Sequence, residues 1–139
     1  MMKVMVSACL LGENCKYNGG NNYNEKLAAL IEDKTVIPVC PEVLGGLPVP
    51  RMPCEIVDGV VRSADGRSFD AEYRQGAEIA LDILRQEKPD LVILQSRSPS
   101  CGVKQIYNGT FTGTKIPGQG VFAALALREG IPVIDVEDL

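Results

Sequence analysis

Four short apolar, β-branched runs alternate along the chain with stretches of helical periodicity, and this alternation limits the fold more than any other feature. The runs are residues 3–8, "TVIPVC" at 35–40, "DLVILQ" at 90–95 and "IPVIDV" at 131–136. Apolar residues at helical spacing mark "EKLAALIED", residues 71–87 and "VFAALALRE". Strands that alternate with helices predict an α/β fold with a parallel sheet. We expect three layers, a Rossmann-like sheet with helices on both faces.

Turn and cap residues organise the sequence between these runs. Asp58-Gly59 lies between two β-branched runs in "CEIVDGVVR" and predicts a small β-hairpin insertion. Asn24 is placed to cap the first helix, and Ser68 or Asp70 to cap the long one. The segment "GTFTGTKIPGQG" indicates a polar loop before the last helix.

Charge and length exclude several classes of partner. The 139 residues carry a formal net charge of −4 without a Lys or Arg stripe, so we expect no nucleic-acid binding. The apolar opening "MMKVMVSACLL" is too short to span a bilayer and lacks a leader-type cleavage site, so we expect no membrane association. Five cysteines without a secretory leader indicate reduced thiols in the cytoplasm. We expect a single domain, residues 1–139, that acts on a small molecule, and the oligomeric state stays open.

Three cysteines follow predicted strands. Cys9, Cys40 and Cys101 each come after the carboxyl end of a parallel strand, and parallel strands place those ends at one edge of the sheet. The three thiols should therefore converge there and could hold a soft metal. Cys15 and Cys54 lack this placement, and we expect them to be small buried apolar residues.

The absence of histidine restricts what these thiols can do. A cysteine protease needs a His base, and none of the 139 residues is His. The sequence also has no Cys-x5-Arg phosphatase motif and no CxxC pair for a zinc ribbon or a thioredoxin-like site. Metal ligation remains, and three thiolates favour either an iron–sulfur cluster or zinc with one coordination position open.

Four motifs carry a resemblance to a known family. They are "SACLLG" with "KYNG", "VCPEVLGGLPVPR", "SPSCG" and "GQGVFAAL", in this order. Over essentially its whole length the chain resembles the thiouracil desulfurase family. The resemblance implies a [4Fe-4S] cluster held by three cysteines, which correspond to Cys9, Cys40 and Cys101. It also implies a catalytic acid/base carboxylate at Glu42 and a catalytic serine at Ser98.

The resemblance further implies non-redox desulfuration of thiolated pyrimidines, in which thiouracil becomes uracil and hydrogen sulfide at an open iron. Without the resemblance, Glu42 is more simply a helix N-terminal residue and Ser98 a turn residue. Arg51 is a weak candidate for orienting a pyrimidine carbonyl, because single arginines are mostly solvated surface charges. Where the family often has Lys three residues before the serine, this chain has Gln95.

Two other function classes stay open at this point. One is a non-catalytic iron–sulfur or zinc protein that senses redox state or carries a cluster. The other is an accessory domain for thio-nucleotide or RNA modification, which the acidic charge disfavours. Glu42 separates the enzyme from the sensor, because a sensor needs only the metal ligands.

Overall fold

The computed structural model describes residues 2–139, which form eight strands, four α-helices and two 3₁₀ turns. In chain order these are β1 (Lys3–Ser7), a 3₁₀ turn (Ala8–Leu11), α1 (Glu25–Leu30), β2 (Thr35–Val39), α2 (Pro41–Leu44), β3 (Cys54–Val57), β4 (Val60–Ser63), α3 (Asp70–Glu87), β5 (Leu91–Leu94), β6 (Gln105–Tyr107), β7 (Lys115–Pro117), α4 (Val121–Leu127), β8 (Val133–Asp135) and a last 3₁₀ turn (Val136–Asp138). Among residues 2–139, no helix is both long and apolar enough to cross a membrane.

Four strands form the central sheet, in the order β2-β1-β5-β8. Each neighbouring pair is parallel, and the four apolar runs of the sequence supply the four strands. The predicted parallel α/β sheet is therefore confirmed. β1 and β5 lie in the middle of the sheet and are buried over most of their length, which explains why their sequences are continuously apolar.

Helices cover both faces of this sheet, as predicted. Val4, Val6 and Ile93 point to one face, where they pack with Leu27 of α1 and Val136 of the last 3₁₀ turn. The alternate residues of the same strands point to the other face. There Met5, Val92 and Leu94 pack against α3 and α4 through Tyr73, Ala77, Ala80, Leu84, Phe122, Ala123 and Ala126. Period-two alternation along β1 and β5 thus produces two apolar layers and a three-layer domain.

Two β-hairpins extend from this core, one predicted and one not. Asp58 and Gly59 join antiparallel β3 and β4 with φ angles of 50° and 81°, the left-handed pair that a tight hairpin turn requires. The second hairpin pairs β6 with β7 inside the segment expected to be a polar loop. Its strands have three residues each and carry no clear alternation, so periodicity could not reveal them.

The helix caps agree with the sequence at α1 and differ at α3. Asn24 accepts a hydrogen bond from the backbone N of Leu27 at 2.9 Å and caps α1 as expected. The expectation that Ser68 or Asp70 caps the long helix is wrong, because Phe69 is the N-cap and makes no side-chain cap bond. Asp70 is the first helical residue, and its carboxylate accepts from the backbone N of Val61 at 3.0 Å, which links α3 to β4.

Candidate functional site

The three strand-end cysteines lie around one cavity. Cys9 is in the 3₁₀ turn after β1, Cys40 directly follows β2, and Cys101 is in the loop after β5. These strands are neighbours in the sheet, so their carboxyl ends meet at one edge. All three residues line a cavity of about 520 Å³, a size typical of small-molecule sites. The predicted convergence of the thiols is confirmed.

Cys101 is buried, and Cys9 and Cys40 are partly buried. Burial raises the pKa of Cys101 to about 12 and also raises the pKa of Cys9. The amide of Asn22 donates to Cys9 Sγ at 3.5 Å.

A metal would have to displace the thiol protons, as thiolate ligation always requires. Three cysteine thiolates are soft sulfur ligands of the kind that hold iron–sulfur clusters. Within residues 2–139, no three Cys, Asp or Glu side chains are gathered as a site for a single metal ion.

The other two cysteines differ from one another. Cys54, the first residue of β3, is buried in the core, as expected, although it also borders the cavity. Cys15 is not: it is partly exposed, lines the cavity and hydrogen-bonds with the Cys40 side chain. Burial and the neighbouring Cys40 raise the pKa of Cys15 to about 12. The expectation of a buried apolar role for Cys15 is wrong, because the loop after the first 3₁₀ turn folds back to the sheet edge.

Glu42 is the second residue of α2, and its carboxylate is buried at the same cavity. Oε1 accepts from Arg51 Nε at 3.0 Å and from the Tyr73 hydroxyl at 3.0 Å, and Arg51 Nη2 lies 2.9 Å away. Oε2 accepts from the Ser100 hydroxyl at 2.8 Å. The position of the carboxylate is therefore fixed by three side chains from separate parts of the chain.

Two glycines bring α2 and α3 into backbone contact and so allow Tyr73 to reach Glu42. A Cβ atom at Gly76 would lie 1.7 Å from the carbonyl oxygen of Pro41, and one at Gly45 would lie 2.0 Å from that of Glu72. Larger residues would force the helices apart. The Tyr73 side chain is almost fully buried, and burial together with the Glu42 carboxylate raises its pKa. At neutral pH the hydroxyl thus stays protonated and donates a hydrogen bond to Glu42.

Ser98 is connected to Glu42 through Ser100. Ser98 Oγ accepts from the backbone N of Cys101 at 2.7 Å and lies 3.2 Å from Ser100 Oγ. The Ser100 hydroxyl also lies 3.7 Å from Cys101 Sγ, and either serine can be the donor between the two hydroxyls. The two hydroxyls form a hydrogen-bonded chain that links Ser98 through Ser100 to Glu42 Oε2. The turn role expected for Ser98 is also present, since its oxygen accepts a nearby backbone N–H.

Sequence reasoning missed two of the residues that surround Glu42, Tyr73 and Ser100, and named the third, Arg51, only as a weak candidate. Arg51 was expected at the surface, but only 6% of its side chain is exposed, and its Nη2 also donates to the carbonyl of Cys15 at 2.8 Å. Burial alone would lower the pKa of Arg51, yet the Glu42 carboxylate outweighs this effect and the pKa is raised. Ser100 lies within the "SPSCG" motif, and this position could have identified it as a site residue. Tyr73 occupies an ordinary inner position of a long helix, and nothing in the sequence marks it as a site residue.

Comparisons with known proteins show which family the chain belongs to. The family model for 2-thiouracil desulfurase matches residues 4–138. The chain is 40% identical to the uncharacterised protein YbbK of Bacillus subtilis (strain 168), over 98% of this chain and 97% of that protein. It is also similar to the solved structure of the [4Fe-4S]-dependent thiouracil desulfidase TudS, with a TM-score of 0.93 and 39% identity over 100% of this chain and 93% of that one. The chain therefore belongs to the 2-thiouracil desulfurase family.

Proposed function

We propose that this protein converts thiolated pyrimidines to the oxygen analogues, for example thiouracil to uracil and hydrogen sulfide, at a [4Fe-4S] cluster held by Cys9, Cys40 and Cys101. One observation carries the proposal: three thiols from neighbouring strand ends and the buried Glu42 carboxylate share one cavity. Family membership and the similarity to TudS support it. The ligands must be free thiols, which favours a reducing compartment such as the cytoplasm.

The reaction balances without electron transfer. Water replaces sulfur at the thiocarbonyl carbon, a C=O bond takes the place of C=S, and hydrogen sulfide leaves. When bound through three protein thiolates, the cluster supplies an open iron, a soft Lewis acid that attracts the sulfur and withdraws electrons from the carbon under attack. The chain must then remove a proton from water and return one to the departing sulfur.

Glu42 is the group in position for both proton transfers. Its Oε1 is occupied by Arg51 and Tyr73, whereas among residues 2–139 Oε2 accepts only from Ser100 and so keeps a free lone pair. Oε2 is thus the atom that takes the proton of the attacking water. Arg51 and Tyr73 fix the carboxylate in a single orientation, as general acid–base catalysis requires. These two are positioning residues.

Ser98 has a different role. It lines the cavity, accepts from the backbone N of Cys101, and is linked to Glu42 through the Ser100 hydroxyl. When substrate binds, rotation of this hydroxyl would let it donate to a ring substituent or to the oxygen added at the carbon. The two serines also join that point to Oε2, so that a proton can pass between them.

The test is sulfide release by anaerobically reconstituted protein from a panel containing 2-thiouracil and 4-thiouracil. We expect equal amounts of sulfide and the desulfurated pyrimidine from at least one of them, with iron and cluster content measured on the same sample. Cluster-replete protein that releases no sulfide from any member of the panel would contradict the proposal. Zinc in place of iron after reconstitution would contradict the cluster assignment.

A further inference from the structure

The cavity has an aromatic wall that the proposed chemistry does not use. Besides the thiols and Glu42, its lining includes Tyr17, whose ring centroid lies 6.0 Å from the Lys16 ammonium. It also includes Tyr107 and Phe111, both from the hairpin formed by β6 and β7. Phe111 lies in the turn of this hairpin and is partly exposed. Among residues 2–139 it belongs to neither apolar core cluster, whereas Phe122 is central to one and Phe69 packs against it. The Phe111 ring therefore borders the cavity without a packing role in the core.

The backbone of Phe111 is held in an uncommon conformation. Its φ angle is 57°, in the left-handed region that bulky residues rarely adopt. Among the described residues, Asp58, Lys88 and Arg97 are the other non-glycine residues with positive φ. Asp58 belongs to a tight hairpin turn and Lys88 to the end of α3, where such angles are ordinary. Arg97 and Phe111 both line the cavity, and strained residues of this kind cluster at ligand sites.

Glu55 holds the turn in this conformation. Its Oε1 accepts from the backbone N of Gly109 at 3.0 Å and from that of Phe111 at 3.2 Å. Gly109 also has positive φ, and a Cβ there would lie 2.7 Å from the carbonyl oxygen of Ile56. The turn is thus fastened to β3 by a carboxylate and a close backbone contact. This attachment fixes where Phe111 stands at the cavity.

Tyr107 is less free than Phe111 to contact a ligand. Its hydroxyl bonds with the Arg97 guanidinium, and Arg97 forms a two-point ion pair with Glu137, at 2.7 and 2.8 Å. Phe111 has no polar atom on its side chain and can offer a ligand only its ring. An apolar ring fastened at the wall of a small-molecule cavity suits a flat aromatic ligand.

We propose that Phe111 is the residue that stacks on the pyrimidine ring and so selects aromatic over non-aromatic substrates. This inference rests on the proposed function, because it names how the same site recognises its substrate. A phenyl ring and a pyrimidine attract through their faces, and such stacking tolerates different ring substituents. Phe111 would then contribute equally to substrate and product binding, whereas Glu42 acts in the reaction itself.

Equilibrium binding to the cluster-replete protein tests the inference without turnover. Uracil and 5,6-dihydrouracil share the same polar edge, but only uracil is aromatic. We expect the wild-type protein to prefer uracil and Phe111→Ala to lose this preference, with uracil binding weakened about tenfold or more. Phe111→Leu should behave like Phe111→Ala, and Phe111→Tyr should restore most of the binding. Thr112→Ala, in the same turn but outside the cavity lining, is the matched control and should bind uracil as the wild type does.

Kinetics separate this inference from the proposed function. In Phe111→Ala we expect the KM for thiouracil to rise about tenfold at nearly constant kcat, the pattern left by loss of uniform binding. An unchanged uracil preference in well-folded, cluster-replete Phe111→Leu protein would overturn the stacking role. Absence of sulfide release from the wild type would instead overturn the proposed function, and the binding preference would still report on Phe111.

Discussion

At the scale of single residues, the site is organised around one buried ion pair. Glu42 and Arg51 are both almost inaccessible to water, and neither would tolerate burial without the other. Removing one member of such a pair typically costs about 3–5 kcal/mol of stability, because the remaining charge loses its partner. Tyr73 adds one hydrogen bond to this pair. It can be removed without leaving a buried charge alone.

Tyr73→Phe should therefore lower turnover while the cluster and the fold are retained. The substitution deletes only the hydroxyl that donates to Glu42 Oε1 at 3.0 Å, and a hydrogen bond to a charged group is typically worth about 1.5–3 kcal/mol. We expect kcat for sulfide release to fall about tenfold or more with KM unchanged. Tyr23→Phe, at an exposed tyrosine, is the control. A kcat equal to that of the wild type would show that Tyr73 does not position the carboxylate.

The identity of the cluster ligands can be tested one cysteine at a time. Alanine at Cys9, Cys40 or Cys101 should each abolish stable cluster binding, measured as iron content and visible absorbance after anaerobic reconstitution. Alanine at Cys54 should leave the cluster intact.

Cys15→Ala tests whether a fourth cysteine binds the cluster, since Cys15 lies beside Cys40 at the cavity. We expect this variant to keep its cluster, because the proposed chemistry needs one iron without a protein ligand. Loss of the cluster in Cys15→Ala would mean four thiolate ligands and no open iron.

At the scale of elements, the start of α4 holds the loop that carries Cys101. The backbone N of Val121 donates to the carbonyl of Pro99 at 2.8 Å, and that of Phe122 donates to Ser100 at 2.9 Å. These carbonyls satisfy N–H groups that a helix start otherwise leaves unpaired. Gly120 permits the contact, since a Cβ there would lie 2.5 Å from the carbonyl carbon of Ser100.

Gly120→Ala should therefore disturb the cysteine loop. We expect a loss of cluster content together with a lower thermal midpoint, because overpacking of a tight contact costs about 1–3 kcal/mol. Gly118→Ala is the matched control, since its Cβ would meet only the side chain of Ile106, at 3.1 Å. Cluster content in Gly120→Ala equal to that in Gly118→Ala would show that this contact does not position Cys101.

Elements with strong periodicity were predictable, and contacts between elements were not. The four apolar runs and the Asp58-Gly59 turn carried local signals that the structure confirms. The β6–β7 hairpin carried none, because each strand has three residues and neither alternates between buried and exposed positions. Nor could the sequence show that Cys15 returns to the sheet edge, since its loop lies outside the strand pattern. That placement depends on long-range bonds, such as the one from Arg51 to the Cys15 carbonyl.

At the scale of the whole molecule, the strand order assembles the site. β1 lies between β2 and β5, so the ends that precede Cys40, Cys9 and Cys101 are adjacent although the residues are far apart in sequence. Parallel topology made this convergence predictable. The surroundings of Glu42 were not predictable, because they depend on the backbone contact between α2 and α3 at Gly45 and Gly76. The same sheet edge thus holds the thiols and the proton-transfer group.

The acid/base role of Glu42 is tested by comparing cluster-replete wild-type and Glu42→Gln protein for sulfide and uracil formation under anaerobic conditions. Cluster content and thermal unfolding are determined on the same samples, because the substitution also leaves Arg51 without its charged partner. Ser98→Ala, which keeps the ion pair, is measured beside it. We expect Glu42→Gln to retain the cluster and to lose turnover by about 10²–10⁴-fold, with a smaller loss in Ser98→Ala. Full turnover by cluster-replete Glu42→Gln protein would show that Glu42 is not the acid/base group, which contradicts the central claim about the site.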